Sequence, residues 1–136
     1  IRLSLVGSEM CIRDSPYKGS EILKDKGVSE EIRTAVMGHA EFTGVPRETL
    51  MAKVLFAVDE LSGFITAVTL VRPNRALSDV QVKSVKKKMK DKSFAAKVNR
   101  EEIIKGAEEL GVDFDEHVMF VIQAMSKVAG ELGLNP

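Results

Sequence analysis

Apolar residues recur at three- and four-residue intervals along most of the chain, which is the spacing of one face of an α-helix. The first such segment, residues 17–26, carries Ile22 and Leu23 and stops at Gly27, where glycine adopts a left-handed C-cap without steric penalty. Ser29 is placed to cap the next helix, with Glu30 and Glu31 in the first turn, where the helix dipole favours negative charge. Ile32, Val36 and His39 then share a face, and Gly44 and Pro46 break the pattern in a loop at 42–46. The longest element, predicted over 47–71, is marked by Leu50, Val54, Leu55, Val58, Leu61, Ile65 and Val68. Its apolar density rises around 64–71 until it is apolar nearly all round, so it belongs at the centre of a bundle. Gly63 is expected to kink this helix or to mark a close crossing, and Arg72-Pro73-Asn74 ends it.

Further helices are expected from Ser78 to about Lys90, from an Asn99 cap to Gly111, and over 115–132. Glu102 stands three residues beyond Asn99 as a capping-box partner. The last helix should bury Val118, Val121, Ile122, Met125, Val128 and Ala129. No alternating run bounded by turn residues reads as a strand, so the expected fold class is all-α, a helical bundle without internal repeats.

At 136 residues the chain has room for one domain with a core. A hydrophobic fraction of 44% and a charged fraction of 29% fit a globular protein rather than a disordered one. Twenty basic residues balance twenty acidic ones, which provides no global field towards nucleic acid or a membrane surface. No apolar run reaches the roughly 18 residues of a membrane span, so a cytoplasmic location is expected. The single cysteine, Cys11, excludes an internal disulfide and reads as an incidental thiol. Residues 1–15 differ from the rest. VGSEMCIRDS has neither periodicity nor a partner pattern and resembles translated sequencing-adapter sequence, so an artefactual or disordered leader is expected there, with 16–136 as the domain.

Candidate chemistry is sparse. His39 and His117 are the two histidines; neither belongs to an HExxH pattern, and no nucleophile elbow or phosphate loop occurs. His117 is expected to be an ordinary, partly exposed residue. Asp59 is flanked by Phe56, Val58 and Leu61, and a carboxylate buried among such neighbours needs a partner or a metal. Glu60, about 100° further round the helix, is expected to reach solvent or a basic partner. Histidine nitrogen and carboxylate oxygen are ligands that Zn, Mn and Fe accept together. The residues alone leave open whether Asp59 is a ligand or a structural hydrogen-bonding group. In the basic run KSVKKKMKDK, Lys83 and Lys87 are four apart on one face and could hold a substrate phosphate. The other lysines spread round the helix, Asp91 interrupts them and no aromatic is interleaved, which disfavours nucleic acid.

The segment GSEILKDKGVSEEIRTAVMGHAEFTGVPRETLMAKVLFAVDELSGFITA resembles the second half of an HD-superfamily phosphohydrolase of the HDIG type. In that pattern a helix ends in His, Thr-Gly follows, and a long helix carries Val-Asp-Glu. LVRP and SDVQVKSVKKKMKDKSFAAKVNREEI extend the resemblance, which covers 16–134. It implies an HD-type helical bundle, truncated at its N-terminus, from a metal-dependent phosphohydrolase acting on a small phosphate-bearing substrate. The implied cofactor is a divalent metal ion (Mn, Fe, Zn or Mg), with His39 matching the last histidine ligand and Asp59 the final aspartate. The chain departs from the pattern elsewhere. It has no His-Asp dipeptide, and the remaining histidine should stand four residues before Gly19, where Ser15 is found. Two ligands fall short of the three that a catalytic site normally has. The chain is therefore expected to be inactive, to hold no metal, and to self-associate through apolar faces that missing helices would cover. The alternative expectation is a non-catalytic helical module that binds a ligand or partner through a groove.

The resemblance predicts that the intact gene encodes a His-Asp pair about 30 to 60 residues before Gly19, within one compact domain. Sequencing the source locus checks it. A continuous upstream frame without that pair removes the enzyme reading, and one that encodes residues 1–15 unchanged removes the adapter reading.

Overall fold

The computed structural model describes residues 16–135. They form six α-helices, which we label α1 (Tyr17–Asp25), α2 (Glu30–Gly38), α3 (Leu50–Leu70), α4 (Val82–Met89), α5 (Arg100–Leu110) and α6 (Phe114–Ser126). Short 3-10 turns occupy Glu41–Thr43 and Leu77–Asp79. No strand occurs among the described residues, so the protein is all-α, as its periodicity predicts. No described helix is long and apolar enough to cross a membrane. The leader expected at 1–15, including Cys11 and Ser15, lies outside the described residues. The chain divides into two compact units, one ending at Leu55 and the other beginning at Phe56.

Helix ends follow local chemistry. Gly27 has φ +75°, and Val28 N donates to Leu23 O at 3.0 Å while Gly27 N donates to Lys24 O at 2.9 Å. This pair of bonds is the Schellman closure, which satisfies carbonyls that a helix leaves open. Gly111, at φ +73°, closes α5 in the same way through Val112 N to Ala107 O at 3.2 Å. Ser29 takes the N-cap position of α2, although its side chain makes no capping bond. Three boundaries move from expectation. The long helix starts at Leu50 rather than near 47, and α4 starts at Val82 because Ser78 falls inside a 3-10 turn. Helix α6 stops at Ser126, after which bonds of the i+3 type (Val128 N to Met125 O, 3.1 Å) tighten the chain.

In the unit after Leu55, α3 supplies Leu61, Phe64, Ile65 and Val68 to the core. Leu77, Val80, Val85, Ile103, Val118, Val121, Ile122, Ala129 and Leu134 complete it. Thr69 is fully buried with this cluster, its hydroxyl satisfied by Ile65 O at 2.8 Å. Val128, expected in the buried stripe of the last helix, is exposed.

Helices α3 and α5 approach closely at Ala57. A Cβ added to Gly106 would stand 2.6 Å from Ala57 Cα, so α5 meets α3 at a distance only glycine permits. Gly63, expected to mark a crossing, instead faces solvent with open space around it. Arg100 closes the irregular segment between α4 and α5. Its guanidinium donates to Met89 O, Asp91 O, Phe94 O, Ala95 O and Val98 O. The same group lies 5.1 Å from the Phe64 ring centroid, and Phe64 meets Phe94 edge-on at 5.6 Å.

The two glycines predict opposite responses to one methyl group. Gly106→Ala should lower stability by about 1 to 3 kcal/mol, because the obstacle is backbone. Gly63→Ala should raise it by roughly 0.5 to 1 kcal/mol, through reduced chain entropy on an open helix face. Chemical denaturation of both variants checks this, and equal effects would refute the crossing at Ala57.

Candidate functional site

His39 follows the last residue of α2, is half-buried, and its Nδ1 pairs with Val36 O one turn back. A carbonyl only accepts, so Nδ1 is the donor in this bond and Nε2 takes no part in it. The segment after His39 is tied to the helix end. Thr43 Oγ1 donates to Met37 O or Ala40 O, each at 2.9 Å, and accepts from Val45 N at 3.3 Å. Gly44 sits at φ +66°. Arg47 Nη1 donates to Gly38 O at 2.9 Å while its Nη2 pairs with Glu41 at 3.3 Å. Thr43 and Arg47, which follow His39, therefore cap the helix that presents it, while Gly44 ends the 3-10 turn between them.

Asp59 and Glu60 exchange the roles expected of them. Phe56, Ala57, Leu61, Phe64, Ile65 and Val68 define the buried face of α3 in this unit. At 100° per residue, Asp59 lies about 150° from the middle of that face, and it is exposed. Its apolar neighbours in sequence point away from it, so burial is not what constrains its carboxylate. Glu60 lies on the flank of the face, is half-buried, and accepts from Asn99 N at 3.2 Å. Its carboxyl pKa is raised above the ordinary 4.5 by burial, opposed by the Asn99 bond and reinforced by the Asp59 charge. Asn99 caps α5 as expected, accepting from Glu101 N at 3.1 Å and Glu102 N at 3.3 Å. The reciprocal half of the capping box is altered: Glu102 takes the Asn99 side-chain amide at 3.0 Å, and the Asn99 backbone N–H goes to Glu60.

His117 is buried, contrary to expectation, and its Nε2 donates to Ala57 O at 2.9 Å. The partner lies sixty residues away in sequence, so no local signal revealed it. Lys83 and Lys87 do share a face. Together with Arg72, Pro73, Ser84 and Lys88 they line a groove of about 450 Å³. Lys86 does not line this groove and holds Asp115 through both carboxylate oxygens, at 2.8 and 2.9 Å. Lys88 Nζ stands 4.6 Å from the Phe94 ring centroid.

His39 belongs to the first unit and Asp59 to the second. Among the described residues no group of three or more His, Cys, Asp or Glu side chains is placed to hold a metal ion. No family model, curated protein or solved structure matches the chain.

Glu60 generates a pH prediction. Because its folded pKa is raised, the stabilising contribution of its protonated form is complete below pH 4.5 and is lost as pH rises through the folded value. Glu60→Gln keeps a neutral acceptor for Asn99, so its stability relative to the parent should increase as pH climbs from 4 towards 7. Denaturation midpoints across that range test this, and a difference independent of pH would refute it.

Proposed function

We propose that this chain is the C-terminal part of an HD-type metal-dependent phosphohydrolase and that it is inactive by itself. The observation that carries the reading is the presentation of His39. Metal-binding histidines commonly donate one ring N–H to a carbonyl, which fixes the ring and frees the other nitrogen as a ligand. His39 has that arrangement with Val36 O, on a turn stapled by Thr43 and Arg47. The exposed carboxylate of Asp59, without a basic partner among the described residues, is the second candidate ligand. The residues present do not fit a catalytic metal on their own, since two side chains leave the site at least one ligand short.

Exposed apolar residues in the first unit support the proposal that further helices cover this part of the intact protein. Ile22, Ile32, Met51 and Val54 are exposed, and Phe42 and Leu50 reach 62% and 71% of their full accessibility. A second reading, a non-catalytic helical module, has one observation in its favour. In the unit after Leu55 a cavity of about 610 Å³ has an apolar lining of Met89, Ile104, Ala107, Val112 and Phe114 among charged residues of both signs.

The purified chain should release no phosphate from nucleotides with Mn, Fe, Zn or Mg, and His39→Ala should change nothing in that assay. It should also self-associate with rising concentration in sedimentation experiments. Metal-dependent turnover abolished by His39→Ala would overturn the inactive assignment, and a cooperatively melting monomer at all concentrations would remove the missing-helix argument.

A further inference from the structure

The groove beside α4 collects hydrogen-bond donors and no carboxylate. Its charged lining is Arg72, Lys83, Lys87 and Lys88, accompanied by the Ser84 hydroxyl and an apolar wall of Val68, Val71 and Pro73. On the neighbouring face Lys86 is engaged by Asp115, and the carboxylate of Asp79 is turned to Asn74 Nδ2 at 2.9 Å. Lys83 and Lys87 have no ion-pair partner among the described residues.

Arg72 makes this more than a pair of surface lysines. Its Nη2 donates to Asp79 O and to Ser84 Oγ, the latter at 2.9 Å, so the guanidinium is held in place before any ligand arrives. Its Nε is buried without a hydrogen-bond partner, an unfavourable state for a polar group. The Nη1 edge makes no hydrogen bond to the described residues. Ser84, which accepts from Arg72, keeps its own proton free to donate. A fixed guanidinium edge, two ammonium groups and a hydroxyl donor therefore border one cavity, and all of them seek an anionic acceptor.

We propose that this groove binds the phosphate group of a small phosphorylated molecule, with Arg72, Lys83, Ser84 and Lys87 as its donors. A phosphate offers several charged oxygens to such a donor set, and the guanidinium fork matches its geometry. Val68, Val71 and Pro73 provide a contact surface for the remainder of the ligand. A nucleic acid strand fits less well, because no aromatic side chain lines the groove and Lys86 is neutralised. The proposal extends the phosphate-binding reading of Lys83 and Lys87, and it requires no metal ion.

Calorimetric titration of the full chain with inorganic pyrophosphate, in EDTA at low salt, tests it separately from the metal reading. Binding is expected, and Lys83→Gln/Lys87→Gln should weaken it by about tenfold or more through loss of two charge-assisted bonds. Lys86→Gln/Lys90→Gln, which removes the same charge beside the groove, should change the affinity by less than about twofold if the contacts are specific. Circular dichroism melting of both double variants confirms that they are folded. Absence of pyrophosphate binding, or equal losses in the two variants, would overturn the assignment. Tighter binding of a single-stranded oligonucleotide, with an affinity falling steeply with salt, would overturn it in favour of a nucleic acid site.

Discussion

The unit after Leu55 is keyed at Ala57. Two later helices reach this one residue by different means: Gly106 of α5 packs against its Cα, and His117 of α6 donates Nε2–H to its carbonyl at 2.9 Å. The first contact excludes any side chain at position 106. The second is a buried directional bond whose loss would leave an unpaired imidazole donor inside the protein. Packing alone sets a helix pair with considerable tolerance in angle. A backbone approach and a hydrogen bond meeting at one turn remove much of that tolerance, and they orient α5 and α6 relative to α3 together.

The same register explains the acidic pair. Once Ala57, Leu61, Phe64 and Val68 face inwards, helical geometry sends Asp59 outwards and leaves Glu60 on the flank. Glu60 then meets the start of α5, where it receives the backbone N–H of the Asn99 cap. The capping residue is thus bonded to α5 through its side chain and to α3 through its backbone. Arg100, the next residue, gathers the carbonyls of the preceding loop and covers the Phe64 ring. One short stretch at the start of α5 consequently anchors a helix end, an irregular segment and part of the core.

What could be read from the sequence divides by the range of the interaction. Gly27, Asn99 and Gly111 were legible because caps are local, decided by residues within one turn of the helix end. The all-α class was legible because the apolar periodicity is sustained over many turns. The glycine at the crossing was not, since Gly63 and Gly106 both look like helix-interior glycines until the partner helix is known. His117 had no local signature for a bond to a residue sixty positions away. Asp59 was misjudged by weighing its sequence neighbours, when residues three and four apart decide which face is buried. That error lay within reach of the sequence, because the spacing of Leu61, Ile65 and Val68 already defined the face.

A net charge of zero excludes less than it first implies. At physiological salt, charges further apart than about 8 Å are largely screened, so a ligand responds to the local arrangement and not to the sum. Along α4 that arrangement is uneven. Lys86 spends its charge on Asp115, Lys88 lies over an aromatic ring, and Lys83 and Lys87 remain without a counter-charge beside a guanidinium fixed by Asp79 O and Ser84. The basic run is thereby sorted by the fold into engaged and unengaged cations. The sorting depends on contacts that only the folded chain makes: Asp115 comes from α6, Phe94 from the loop that Arg100 closes, and Arg72 from the end of α3. Local electrostatics in this protein is thus a product of the same packing that converges on Ala57.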